Sequence, residues 1–144
     1  MQLEVAHRRY QGWRDALQRY NMPIDESMII TCDTRAQAII ETPSILKQNN
    51  KPDAIFCVND DCASGVLYAA QILGMKIPDE LSICGFSNAP LCRNTYPMLS
   101  TVEQHGVEIG KHAMSRLLKR LNGYDRIAHT EMIATDLIVR ETTK

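Results

Sequence analysis

The sequence predicts an α/β fold, a three-layer arrangement in which a parallel sheet carries helices on both faces. Two short runs of apolar and β-branched residues, 54–58 and 81–86, flank a helical stripe of Cys62, Ala63, Val66, Leu67, Ala70 and Leu73. The stretch between the runs has the length of a right-handed parallel crossover, and continuous apolar strands are those buried on both faces. A chain of 144 residues with 44% hydrophobic content also suits one compact domain.

From the N-terminus, Tyr10, Trp13, Ala16, Leu17 and Tyr20 recur at intervals of three and four, the stripe of an amphipathic helix over residues 8–20. Met28-Ile29-Ile30-Thr31-Cys32 is short and β-rich and predicts a strand. Asp33 and Thr34 offer a cap for a helix carrying Ala36, Ile39 and Ile40. Pro43 should kink that helix or restart it with Thr42 as cap, because proline removes a donor and clashes with the preceding turn. The crossover unit follows, its helix ended by Gly74. Residues 87–97 read as irregular and 99–103 as a short extended link. Residues 107–121 form a periodic helix striped by Val107, Gly110, Ala113, Met114, Leu117, Leu118 and Leu121, and a last extended run, 131–139, precedes a polar end.

Composition narrows the function classes. Sixteen Lys and Arg against 17 Asp and Glu give a net charge of −1 without any basic block, which argues against a free-standing nucleic-acid binder. No apolar stretch approaches the ~20 residues of a membrane span, and Met1-Gln2-Leu3-Glu4 has neither the cationic nor the apolar region of a secretory signal. The five cysteines, Cys32, Cys57, Cys62, Cys84 and Cys92, form an odd set without a CxxC pair and are expected as reduced thiols of a cytoplasmic protein. No P-loop, G-x-G-x-x-G or nucleophile–base setting stands out, so neither an enzyme nor a cofactor is expected. His105 and His112 lie seven apart on one helix without an evident third ligand, so no metal is expected either.

Open parallel sheets bind ligands outside the carboxyl ends of their strands. Asn59-Asp60 and Ser87-Asn88 stand at those ends, where capping and turn formation are the competing readings. Tyr10, Trp13 and Phe86 fall on apolar faces and are expected in the core.

Six motifs in register then carry a resemblance to a known family. They are Arg9-Tyr10-Gln11-Gly12-Trp13, the strand from Pro52-Asp53-Ala54-Ile55 to Asn59-Asp60, and Gly65 and Gly74 with Ile77-Pro78. Leu81-Ser82-Ile83-Cys84-Gly85-Phe86-Ser87-Asn88 follows, then Pro97 with Leu99-Ser100-Thr101-Val102 and Gln104, and finally Leu137-Ile138-Val139-Arg140-Glu141-Thr142-Thr143. Together the chain resembles the C-terminal part of the effector-binding, periplasmic-binding-protein-like type I domain of LacI/GalR-type transcriptional regulators.

The resemblance implies a sensing domain for a small-molecule effector, commonly a sugar, with Arg9 and Asn59 as ligand contacts and Ser87 and Gln104 beside them. Ser87 departs from the family pattern, where an aspartate is usual, and Gly106 stands where a larger side chain is common. Asp60 is expected as a cap or structural acceptor. The resemblance also implies operator DNA as a partner through a head carried elsewhere in the parent, and a homodimer using Ser64, Leu67, Tyr68 and Gln71. It divides residues 1–144 into a second subdomain (1–98 and 123–144) and a crossover with a helix of the first subdomain (99–122). A sugar-binding protein of a transport system, which shares the fold, is the alternative.

Overall fold

The structure, a computed structural model, describes residues 4–124, 127–128 and 130–144; Met1, Gln2 and Leu3, on which the expectation about a secretory signal largely rests, lie outside them. Its sheet has four strands in chain order, β1 (Ala54–Phe56), β2 (Ser82–Phe86), β3 (Ser100–Glu103) and β4 (Asp136–Ile138). The first three are parallel and β4 runs antiparallel to β3, so the sheet is mixed, with parallel pairing dominant. The reason is where the chain returns: Asp136 opens β4 opposite Glu103, which closes β3, so the link after β3 comes back to the end it left.

Helices α1 (Glu4–Arg19), α2 (Arg35–Leu46), α3 (Asp60–Ile72) and α4 (Gly106–Leu121) accompany the sheet. The core lies between α2, α3 and one sheet face, where Ala38, Ile45 and Leu46 meet Cys62, Ala63, Val66, Leu67 and Ala70 above Leu81, Ile83 and Leu99. Two glycines permit this close packing. A Cβ on Gly65 would lie 2.5 Å from the Arg35 carbonyl oxygen and 2.8 Å from the Ala38 Cβ, and one on Gly85 would overlap the Asp60 carboxylate. By contrast, α1 and α4 bury no residue. The α4 stripe of Val107, Met114, Leu117, Leu118 and Leu121 is more than half exposed.

The crossover unit stands as read, including Gly74 at φ +74° just past α3. Elsewhere tertiary structure overrides local pattern. The strand expected over residues 28–32 does not form: Glu26–Met28 is a 3-10 turn and residues 29–33 join no ladder, because a strand needs a neighbouring backbone as well as a β-rich composition. Helix α2 runs through Pro43 without restarting, and Thr34, not Thr42, caps it. Its buried face is Ala38, Thr42, Ile45 and Leu46 in place of Ala36, Ile39 and Ile40, since contact with α3 selects the face. Residues 100–103, expected as a link, form an inner strand. Only Asp136–Ile138 of the last extended run joins the sheet.

The polar C-terminal end sends one residue, Thr142, into the interior. Thr142 is fully buried, its hydroxyl donating to the Ile83 carbonyl at 2.7 Å and accepting from the Ser100 N–H at 2.8 Å, while its own carbonyl accepts from the Ile83 N–H at 2.7 Å. Arg140 adds bonds to the Leu99 carbonyl and to Asn88 Oδ1, both 2.7 Å.

Candidate functional site

At the carboxyl edge of the sheet, the structure brings two of the four residues singled out by sequence, Arg9 and Gln104, into direct contact. Arg9 reaches from α1 to donate to the Val58 carbonyl at 2.6 Å and to Gln104 Oε1 at 3.3 Å. Its guanidinium lies 3.9 Å from the centroid of the Phe86 ring, which meets Phe56 edge to face at 6.4 Å. These contacts join α1, β1, β2 and the turn after β3. Burial lowers the Arg9 pKa from its ordinary value, opposed by the Asp60 carboxylate, and the group keeps its charge at neutral pH. Two of its five N–H donors are spent on these contacts, so the fork retains donors for a bound oxygen.

Asn59 is the N-cap of α3. Its Oδ1 accepts from the Cys62 N–H at 2.7 Å and its Nδ2 donates to the Asp33 carbonyl at 3.1 Å. An amide has two hydrogens and two lone pairs, so one of each is left over. Ser87 follows β2 at φ +114° and Asn88 at φ +53°, both in the left-handed region, and the Ser87 N–H donates across to the Val102 carbonyl of β3 at 2.8 Å. Asn59 and Ser87 share the sheet edge with Arg9 but direct these hydrogen bonds to the backbone around them, whereas Gln104 bonds the guanidinium itself.

Asp60 is a structural acceptor, 1% exposed, taking the Ala89 N–H at 2.7 Å and the Thr101 hydroxyl at 2.5 Å. The sequence offered no sign of the Asn88–Glu103–Arg140 cluster behind it. There, Asn88 Nδ2 donates to Glu103 at 2.8 Å, and the His105 N–H donates to the other Glu103 oxygen at 2.7 Å. An Asn in a turn and a Glu on a strand look like surface residues until the register pairs their strands.

Phe86, Tyr10 and Trp13, all expected in the core, are each half-buried and lie outside the core cluster: Phe86 is at this sheet edge, and Tyr10 and Trp13 are on α1. They stack on each other at 5.9 Å and line a cavity of about 780 Å³ under α1, together with Leu17, Ile30, Ile45 and Ile55. His105 faces Asp136 and His112 faces Glu131, at 2.8 and 2.7 Å, so the two histidines serve different carboxylates. Among the described residues no group of three His, Cys, Asp or Glu side chains could hold a metal ion, and no helix is long and apolar enough to cross a membrane. Of the surface expected for a dimer, Leu67 is only 3% exposed because it turns into the core, and Gln71 is tied to the Tyr96 carbonyl at 2.6 Å.

Comparison with known proteins gives the family. A periplasmic binding protein-like domain matches residues 2–143. The HTH-type transcriptional repressor PurR of Vibrio atlanticus is 33% identical over 140 residues, covering 94% of this chain and 41% of the repressor. The ribose operon repressor of Haemophilus influenzae is 32% identical over 139 residues, with coverages of 96% and 42%. Among solved structures, a LacI-type transcription regulator from Bifidobacterium animalis subsp. lactis superimposes with a TM-score of 0.87 at 29% identity, covering 94% of this chain and 49% of that one. The chain thus spans about two fifths of the length of the curated relatives it matches.

Proposed function

Because the chain belongs to the periplasmic binding protein-like domain family, with LacI-type regulators as its relatives, we propose that it is the effector-sensing part of a transcriptional regulator. The observation that carries the reading is Arg9, held over Phe86 by Val58 and Gln104 at the carboxyl edge of a parallel sheet with donors to spare. A planar donor fork beside an aromatic face suits a small polar ring bearing hydroxyl or carbonyl oxygens, and a carbohydrate is the effector class we favour.

In this reading Arg9 is the principal donor and Gln104 sets its orientation. Asn59 offers its remaining hydrogen and lone pair, and Ser87 a neutral hydroxyl. Hydrogen bonds to charged groups contribute about 1.5–3 kcal/mol against ~1 for neutral ones, so Ser87 grips less strongly than a carboxylate would. The effector closes on the rest of the regulator, whose DNA-binding head and partner protomer read the change. The curated relatives are repressors, which favours a regulator over a transport protein.

A thermal-shift screen of the full-length protein against pentoses, hexoses and purines tests the reading. At least one compound should raise the unfolding midpoint in the wild type and lose that effect in Arg9→Ala. No shift with any of them, or a shift untouched by the substitution, would remove Arg9 from the proposed role.

A further inference from the structure

We propose that Cys32 and Cys62 are an oxidation site, closing to an intramolecular disulfide under a low-molecular-weight disulfide. Their Sγ atoms lie 3.9 Å apart, and Cys62 Sγ is 3.6 Å from the Cys32 carbonyl oxygen. The backbone on both sides is held by one side chain, because Asn59 donates to the carbonyl of Asp33, next to Cys32, and accepts from the N–H of Cys62 itself. The two thiols therefore face each other without a search through loop conformations. Reaching a bond length of about 2.05 Å requires the two sulfurs to close from 3.9 Å.

Both side chains line the cavity under α1, whose lining also includes the exposed His7, Met22 and Asp53. Cys32 is half-buried and Cys62 buried, which makes Cys32 the first point of attack. The Cys32 thiolate attacks one sulfur of oxidised glutathione. A mixed disulfide forms, the oxidant's S–S bond breaks, and a glutathione thiolate leaves and takes up a proton. The Cys62 thiolate then attacks the Cys32 sulfur and expels the second glutathione. Two protein thiols lose two electrons and two protons, and one small disulfide becomes two thiols.

Burial raises both thiol pKa values, that of Cys62 to about 12, so closure is slow at neutral pH. The bond would fasten residues 29–33 to the first turn of α3 beside Asn59. Cys57 lines the same cavity and is the competing thiol.

The test is to incubate the 144-residue protein with excess oxidised glutathione, alkylate the remaining thiols, digest without reduction and map the peptides. The expected result is loss of two of the five alkylatable thiols and a peptide pair linked through Cys32 and Cys62. Reduction should restore both thiols, and Cys57→Ser should keep the link. Unchanged alkylation of Cys32 and Cys62, glutathione adducts alone, or a Cys57–Cys62 link would each overturn the proposal, and none of these readouts on the wild-type chain depends on a variant folding.

Discussion

Arg9 donates to the Val58 carbonyl at 2.6 Å and so pins the first half of α1 over the carboxyl end of β1. The bond matters because α1 buries no residue of its own, leaving side-chain contacts to set its position. Gln104, directly after β3, completes the anchor. A helix without a core contribution is thereby held where its guanidinium serves the sheet edge.

Asp60 should be a determinant of stability. Asp60→Ala would leave the Ala89 N–H and the Thr101 hydroxyl without this acceptor in the interior, at a cost of about 2–5 kcal/mol in total. Urea unfolding should show a lower midpoint with an unchanged slope, and Thr101→Val should cost less, about 1 kcal/mol. An Asp60→Ala protein as stable as the wild type would show that water replaces the carboxylate.

Gly65→Ala should destabilise the α2–α3 contact, since the added methyl meets the Arg35 carbonyl and Ala38. Backbone on one side and a core side chain on the other leave little room to yield, so the expected loss is about 1–3 kcal/mol. Gly12→Ala, on the exposed surface of α1 with nothing near its Cβ, should instead be neutral or slightly stabilising through helix propensity. Thermal unfolding of the two variants side by side distinguishes them.

These contacts show what was legible from sequence. The strands 54–56 and 82–86, the helix between them and its stop at Gly74 were readable because apolar runs and a glycine in the left-handed region carry local signals. Ser100, Thr101 and Thr142 were not, because each is buried by pairing with a partner about forty residues away or more. Leu67 was read both on the buried stripe of the crossover helix and on the dimer surface, and the structure keeps only the first reading, because the residue is in the core. Arg9 and Gln104 were identified through motifs, but nothing in the motifs gave the Val58 carbonyl or the Phe86 ring as the groups that hold the guanidinium.

The exposed stripe on α4 should drive self-association of this chain. Covering a side chain such as Leu117, Leu118 or Leu121 is worth about 1.5–3 kcal/mol, and all three are at least half exposed. Light scattering should give a mass above that of a monomer. The double variant Leu117→Glu, Leu121→Lys should shift it towards the monomer with circular dichroism unchanged; a wild-type chain that is monomeric at high concentration would count against this.

Acid stability should depend on Glu103. Asn88 Nδ2 and then the His105 N–H hold its carboxyl below the usual carboxylate value. A carboxyl depressed on folding contributes stability that is fully present above its unfolded pKa and is lost as pH falls through the folded value. Glu103→Gln should therefore lower stability at pH 7 to 8, where the contribution is fully present, and the two profiles should converge as pH falls below the ordinary carboxylate range of about pH 4. Chemical unfolding across that range measures it, and parallel profiles for the two proteins would rule the contribution out.

Arg9 and Gln104 should act together on an effector, and this pair is what binding measurements test most directly. Titration calorimetry of the full-length protein, with the strongest compound from the screen, should be run on the wild type, Arg9→Ala, Gln104→Ala and the double variant. Loss of Arg9 should weaken binding by about 1.5–3 kcal/mol, roughly tenfold or more, and the two losses should be less than additive because Gln104 works through Arg9. Equal affinities in all four proteins would contradict the assignment of this edge of the sheet as the effector site.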